Sequence, residues 1–252
     1  MSEAVGFLHA GGHRLEYRCI AGPASRPVLV FLHEGLGSTA LWKDFPDAVA
    51  AATGCPALVY SRCGYGGSDP LQGPRAMDYM HREALDVLPE VLRALDIAEP
   101  VLVGHSDGAS IALIHAGAGH AVRGVVAMAP HVFVEELTVA SIAEAKVAWA
   151  TTDLPRRLGR YHEHVEGAFR GWNDIWLHPD FRAWNIESCL PRIACPVLVI
   201  QGEDDQYGTR AQVDAIVAQV PGGARALLLP GCRHSPHVDC REAVIAAIAA
   251  FA

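Results

Sequence analysis

The sequence predicts an α/β protein built on a mostly parallel, eight-stranded sheet with helices on both faces. Three observations predict it. Six short apolar runs rich in β-branched residues recur along the chain, longer segments of helical periodicity separate them, and a strand pair around "GG" precedes them all. Runs that lack polar alternation are buried on both faces, which is the condition of strands in a parallel sheet covered by helices.

The elements follow in order. Gly6 to Ala10 and His13 to Ile20 flank two glycines that supply the turn of an N-terminal hairpin. "VLVFLH" is the next strand and leads to a helical pattern in "LWKDFPDAVAAAT"; "ALVYS" leads to "YMHREALDVLPEVLRAL", and "VLVGH" to the helix that opens at "SDGASIAL". "GVVAMA" is the sixth strand. "VLVIQG", "GTRAQVDAIVAQV", "RALLLP" and "CREAVIAAIAAFA" complete the alternation as strand, helix, strand and helix. Residues 131–191 interrupt it, being helical in composition and lying between two strands that need only a short connection. The expected organisation is a core of residues 1–130 and 192–252 with a helical lid at 131–191, whose second half concentrates Tyr161, Trp172, Trp176 and Trp184.

Composition narrows the function classes. With 252 residues, 51% of them hydrophobic, the chain can bury a sizeable core. A charged fraction of 19% and a net charge of -8 argue against a nucleic-acid or anionic-membrane binder and leave a small molecule as the expected partner. Seven cysteines, an odd number, do not form a disulfide framework and fit reduced thiols in a cytoplasm. No basic leader precedes an apolar stretch, and no run reaches the roughly 18 apolar residues of a membrane span. No pattern specifies an oligomeric state.

The stretch "VLVGHSDGASIAL" carries the chemistry. "GHSDG" places Ser106 between Gly104 and Gly108 where a buried strand gives way to a helix, the context in which a GxSxG pattern holds a nucleophile on a sharp turn. Close backbone approach there requires glycine two residues to either side. The helix start behind Ser106 offers unpaired N–H groups, that of Asp107 first, where an oxyanion forms. A serine hydroxyl needs a histidine to take its proton and a carboxylate to orient that histidine. Two later strand ends carry them: "GEDDQYG" with Asp204 and Asp205, and "GCRHSPH" with His234 and His237.

Taken together these residues resemble the α/β-hydrolase superfamily in its lidded, serine-nucleophile form, over essentially the whole chain. "LHEGLGS" looks like the oxyanion loop, "SRCGYGGSD" like the glycine-rich turn, "GHSDG" like the nucleophile elbow, and "GEDD" and "GCRHS" like the acid and base turns. The resemblance implies Ser106 as nucleophile, His234 as base, and Asp205 as acid because the family acid falls three residues after a glycine, here Gly202. Asp204 and His237 are the alternatives. It implies oxyanion donors at the N–H groups of Asp107 and Gly35, with Leu36 as the alternative to Gly35.

Several positions depart from the common pattern or have open roles. Glu34 stands where many members have glycine, and is either a solvated loop charge or a site residue that disfavours an anionic acyl group. Arg62 is expected to pair with Glu34 or Asp69. The Asp107 side chain complements the helix dipole, and His105 is a buried turn residue. His131 faces the pocket or bonds to backbone at the lid entrance; Trp172, Trp176 and Trp184 either line the cavity or form the lid's own core. Cys232, His234, His237, Asp239 and Cys240 include metal-ligand types, but His234 has a role already and no second ligand pair exists, so no metal or other cofactor is implied. The expected function is hydrolysis of an ester or thioester of a small to medium acyl substrate, aromatic or not, through an acyl-enzyme. Carbon–carbon bond hydrolysis, lid-assisted elimination, and small-molecule sensing without turnover are the alternatives.

Overall fold

Unbroken apolar runs become the centre of the sheet. In the computed structural model, which describes residues 1–252, β3 (Leu29–Leu32), β4 (Ala57–Tyr60), β5 (Val101–His105), β6 (Gly124–Met128) and β7 (Val197–Gly202) are buried at every position. The N-terminal hairpin of β1 (Ala4–Ala10) and β2 (His13–Ile20) lies at one edge and β8 (Ala224–Leu229) at the other, in the order β1-β2-β4-β3-β5-β6-β7-β8. The β1–β2 and β2–β4 pairs are antiparallel and every other pair is parallel.

Because successive strand side chains point to opposite faces, each central strand feeds two cores. Val101 and Val103 pack with α1 (Phe45–Thr53) and with α10 (Arg241–Phe251), which follows the one-turn α9 (Pro236–Asp239), whereas Leu102 packs on the opposite side. That side is covered by α2 (Tyr79–Arg82), α3 (Leu88–Ala94), α4 (Asp107–Gly117) and α8 (Arg210–Gln219). The long helical pattern at 79–95 contains a π-helical turn, Glu83–Val87, immediately before Leu88 and Pro89. A proline ring clashes with the carbonyl four residues earlier, and a wider turn relieves it. The helix expected from Leu41 begins only at Phe45, with Pro46 in its first turn, and ends on left-handed Gly54.

Between β6 and β7 the chain folds into α5 (Glu136–Thr151), α6 (Leu154–Leu158), α7 (Val165–Trp176) and the 3-10 turns Pro179–Ala183 and Glu187–Arg192. Its two ends meet in an antiparallel bridge between Phe133 and Asn185, and the Ile186 N–H donates to the Val132 carbonyl at 2.8 Å. Gln212 of α8 seals this neck, accepting from the Val132 N–H at 2.7 Å and donating to the Phe133 carbonyl at 3.1 Å. The segment has its own aromatic core: Phe169 stacks on Trp149 at 4.1 Å, and Trp176, Phe181 and Trp184 form a second cluster. The chain contains no helix long and apolar enough to cross a membrane.

Two consequences for stability follow from this packing. A Cβ on Gly108 falls 2.0 Å from the Leu32 carbonyl oxygen and 2.7 Å from that of His33, both backbone atoms that cannot step aside. Gly108→Ala is therefore expected to destabilise the fold by about 3 kcal/mol or more, measured as a lower urea midpoint; a midpoint equal to wild type contradicts this. The second concerns acid. His115 donates to the Ala84 carbonyl at 2.7 Å, and burial pushes its pKa down to about 4; burial and the His234 charge do the same to His131, also to about 4. Unfolded histidine titrates near ~6.5, so the unfolded chain takes up these protons first as pH falls. Stability present above pH ~6.5 is lost between there and about 4, on the order of 3 kcal/mol for each such histidine. Urea unfolding at pH 7 and pH 5 checks it, and His115→Asn should flatten the slope.

Candidate active site

At the carboxyl end of β5 the chain turns sharply into α4. Ser106 takes φ 52° and ψ -117°, a conformation that costs an L-residue about 1–3 kcal/mol and is held by its surroundings. The Ser106 N–H donates to the Met128 carbonyl at 2.9 Å, and Gly104 and Gly108 let the turn pack without Cβ atoms against Ala109 and Leu32. The Ser106 hydroxyl is thereby presented at the edge of the sheet.

Two further strand ends converge on it. The Nε2 of His234, in the turn after β8, lies 3.0 Å from Ser106 Oγ, and its Nδ1 lies 2.9 Å from both carboxylate oxygens of Asp205, after β7. Asp205 also accepts from the side-chain amide of Gln201 at 2.7 Å and from the Tyr207 N–H at 2.8 Å. Burial alone raises a carboxyl pKa, but the hydrogen bond and charge of His234, with the Tyr207 N–H, outweigh it and hold Asp205 below the usual aspartate value. It is placed to act as an anion beside the imidazole. Neighbouring Asp204 is exposed, and its backbone N–H donates to the Cys232 carbonyl. His237 turns away from Asp205 into the rings of Trp42, Phe45 and His105, where burial pushes its pKa down to about 3.

The opposite wall is the loop after β3. Its turn is closed by the Gly37 N–H donating to the Glu34 carbonyl, so the Gly35 N–H lies outside that hydrogen bond. Three groups fix the loop. The Arg62 guanidinium donates to the carbonyls of His33 and Glu34, the His33 ring accepts from the Arg62 N–H at 3.1 Å, and His162 donates to the Leu36 carbonyl at 2.9 Å while accepting from the Gly66 N–H. The Trp172 indole lies against Gly35 so closely that a Cβ there would be 2.1 Å from the ring. At the helix start, Asp107 has no intrahelical partner for its N–H, and its carboxylate accepts from the Tyr79 hydroxyl at 2.6 Å.

A cavity of about 190 Å³ opens over Ser106. It is walled by Glu34, Gly35, Leu36, Ser106, Asp107, His131, Thr138, Ile142, Trp172, Trp176, Tyr207 and His234. Most residues singled out in the sequence are thus brought together. Trp184 is the exception: it is not on the cavity wall, because it stacks on Phe181 at 5.6 Å and packs behind Trp176. Arg62 also departs from expectation, holding two backbone carbonyls in place of the carboxylates of Glu34 or Asp69. Glu34 is no solvated charge but a half-buried one at the cavity, with His105 beside it. His131 meets both descriptions, since it lines the cavity and its Nε2 donates to the Tyr207 carbonyl at 3.1 Å. No group of three or more His, Cys, Asp or Glu side chains is arranged to hold a metal ion.

Three cavity residues escape sequence reasoning. Tyr207 stands two residues beyond Asp205, its ring 4.7 Å from that of His234, and its place on the acid turn was the available clue. Thr138 and Ile142 lie four apart on one face of α5, and Thr138 is tied to the Tyr207 carbonyl by its hydroxyl. Only an assembled fold brings α5 to that turn.

A model of the alpha/beta hydrolase family matches residues 29–247 of this sequence. Among curated proteins, the serine hydrolase BPHL of Mus musculus is 26% identical over 187 residues, 69% of this chain and 62% of that protein. The chain thus spans less than two thirds of that relative's length. Among solved structures, the enol-lactonase from Burkholderia xenovorans LB400 superposes with a TM-score of 0.76 at 20% identity, covering 98% of this chain and 99% of that one. The esterase RhEst1 from Rhodococcus sp. ECU1013 gives 0.73 at 22% identity, covering 100% and 98%. At these identities the superpositions establish the fold alone.

Proposed function

The chain belongs to the alpha/beta hydrolase family, and from that premise we propose that it is a serine hydrolase cleaving a carboxylic ester or thioester of a small to medium acyl group. One observation carries the reading: Ser106 Oγ, His234 Nε2 and Nδ1, and the Asp205 carboxylate lie in one hydrogen-bonded line at the floor of a cavity. His234 takes the proton of Ser106 as the oxygen attacks the acyl carbon, and Asp205 stabilises the imidazolium that forms. The N–H groups of Asp107 and Gly35 receive the oxyanion, with Leu36 next to Gly35 on the same wall. His234 then protonates the departing alcohol or thiol, and water repeats the sequence on the acyl-enzyme.

The cavity supports the substrate class. At about 190 Å³ it is smaller than the ~300–1,000 Å³ of sites for drug-sized ligands. Trp172, Trp176 and Tyr207 supply flat apolar walls suited to a compact or aromatic acyl group. The helices between β6 and β7 serve as the lid over it, fastened at the Gln212 neck and at His162. Seven cysteines free of disulfides support a cytoplasmic setting. A p-nitrophenyl ester series tests the reading: kcat/KM is expected to be highest for acetyl to benzoyl esters and to fall by about tenfold or more for dodecanoyl. A rise with chain length contradicts the small-acyl assignment, and binding without turnover of any ester favours a sensor.

A further inference from the structure

We propose that Glu34 and His105 form a one-proton clamp that positions the catalytic base and the oxyanion loop against the nucleophile; this rests on the serine-hydrolase reading above. His105 is the residue before Ser106 and is only 1% exposed. Its Nε2 lies 2.7 Å from the backbone carbonyl of His234, and its Nδ1 lies 3.4 Å from the Glu34 carboxylate. A carbonyl can only accept, so Nε2 must carry a hydrogen. With that hydrogen in place, a neutral ring would turn the bare lone pair of Nδ1 toward a carboxylate. One further proton resolves the conflict, and it makes His105 an imidazolium donating to both oxygens.

Charge around the pair agrees. Burial works against ionisation of both groups, but their hydrogen bond and mutual attraction overcome it, raising His105 above the ordinary histidine value and holding Glu34 far below the ordinary carboxylate value. The other groups facing them are Asp205, which favours the imidazolium, His33, His162 and His237, which burial keeps neutral, and the His234 ring, 5.3 Å from that of His105 and hydrogen-bonded to Asp205. Arg62 engages the Glu34 carbonyl and leaves its carboxylate to His105. A side effect is that the negative charge of Glu34, which would oppose an oxyanion forming beside Gly35, is neutralised next to the site.

The clamp joins three segments distant in sequence: the loop bearing Gly35, the elbow bearing Ser106, and the turn bearing His234. Loss of its proton at rising pH sets two lone pairs against each other and loosens the turn. The kcat/KM profile should therefore descend on the alkaline side above the ordinary histidine range, in addition to its acid limb. In Glu34→Gln the amide N–H can donate to a neutral His105 ring, so that variant should turn over more slowly but lose the descending limb. His105→Leu, which keeps no hydrogen bond, should lower kcat on the order of 10²-fold with little change in KM.

A readout independent of turnover separates this from the hydrolase assignment. In ¹⁵N-histidine-labelled protein at pH 7.5, with His105 assigned by its absence in His105→Leu, both His105 nitrogens should be protonated. In Glu34→Gln only Nε2 should be. An unprotonated Nδ1 in the wild type overturns the proposal whatever the activity, and so does a descending limb that persists in Glu34→Gln.

Discussion

Ser106→Ala is expected to lower kcat by about 10⁶-fold on any ester the protein hydrolyses, the size of loss that follows removal of the nucleophile in a serine protease. The elbow explains why no neighbour can substitute. Its backbone holds residue 106 at the floor of the cavity, and Ser110, the nearest hydroxyl along α4, donates to the His131 carbonyl at 2.6 Å and faces away. Alanine tolerates the same turn without new contacts, so the variant should fold with an unaltered melting profile. Residual turnover within tenfold of wild type would mean that the chemistry runs through another group.

Asp205→Asn is expected to cost about 10⁴-fold in kcat, because an amide at that place favours the wrong histidine tautomer and provides no charge for the imidazolium. Asp204→Asn should change kcat by less than about threefold, since an exposed carboxylate outside the hydrogen-bonded line contributes little. The contrast matters more than either value. The two residues are adjacent, and extended neighbours point to opposite sides, so one carboxylate alone can meet His234. Here Asp205 is also anchored by Gln201 and the Tyr207 N–H, which fix its orientation before any substrate arrives. Equal losses in the two variants would refute the assignment of the acid. Charge should matter as well as shape: the Asp205→Asn defect should narrow at high pH, where hydroxide replaces the base.

The sheet was legible because its determinants are local. "VLVFLH", "VLVGH" and "VLVIQG" announce strands buried on both faces, and the polar residues that follow each one stand where such a sheet places its chemistry. Ser106 could be named for that reason, and its partners narrowed to Asp204 or Asp205 and His234 or His237; the resemblance to the α/β-hydrolase superfamily chose Asp205 and His234. What was not legible depends on contacts across the chain. Glu34 and His105 are separated by 71 residues, and nothing in either neighbourhood announces the other. Arg62 could be foreseen as structural, but its partners are carbonyls, which every residue carries and no pattern marks. Trp172, Trp176 and Trp184 share one sequence signature, yet Trp172 meets Gly35, Trp176 lies between cavity and core, and Trp184 stacks on Phe181. Their division follows from how α7 and the turn after it dock, a property of tertiary packing.

Covalent trapping tests the central claim, that Ser106 is a nucleophile activated by His234, most directly. The protein is treated with a fluorophosphonate and the adduct located by intact mass and peptide sequencing. One phosphonyl group on Ser106 in the wild type, none in Ser106→Ala, and labelling slowed by orders of magnitude in His234→Ala is the predicted result. No adduct on the folded wild-type protein, or an adduct on a residue other than Ser106, would contradict it.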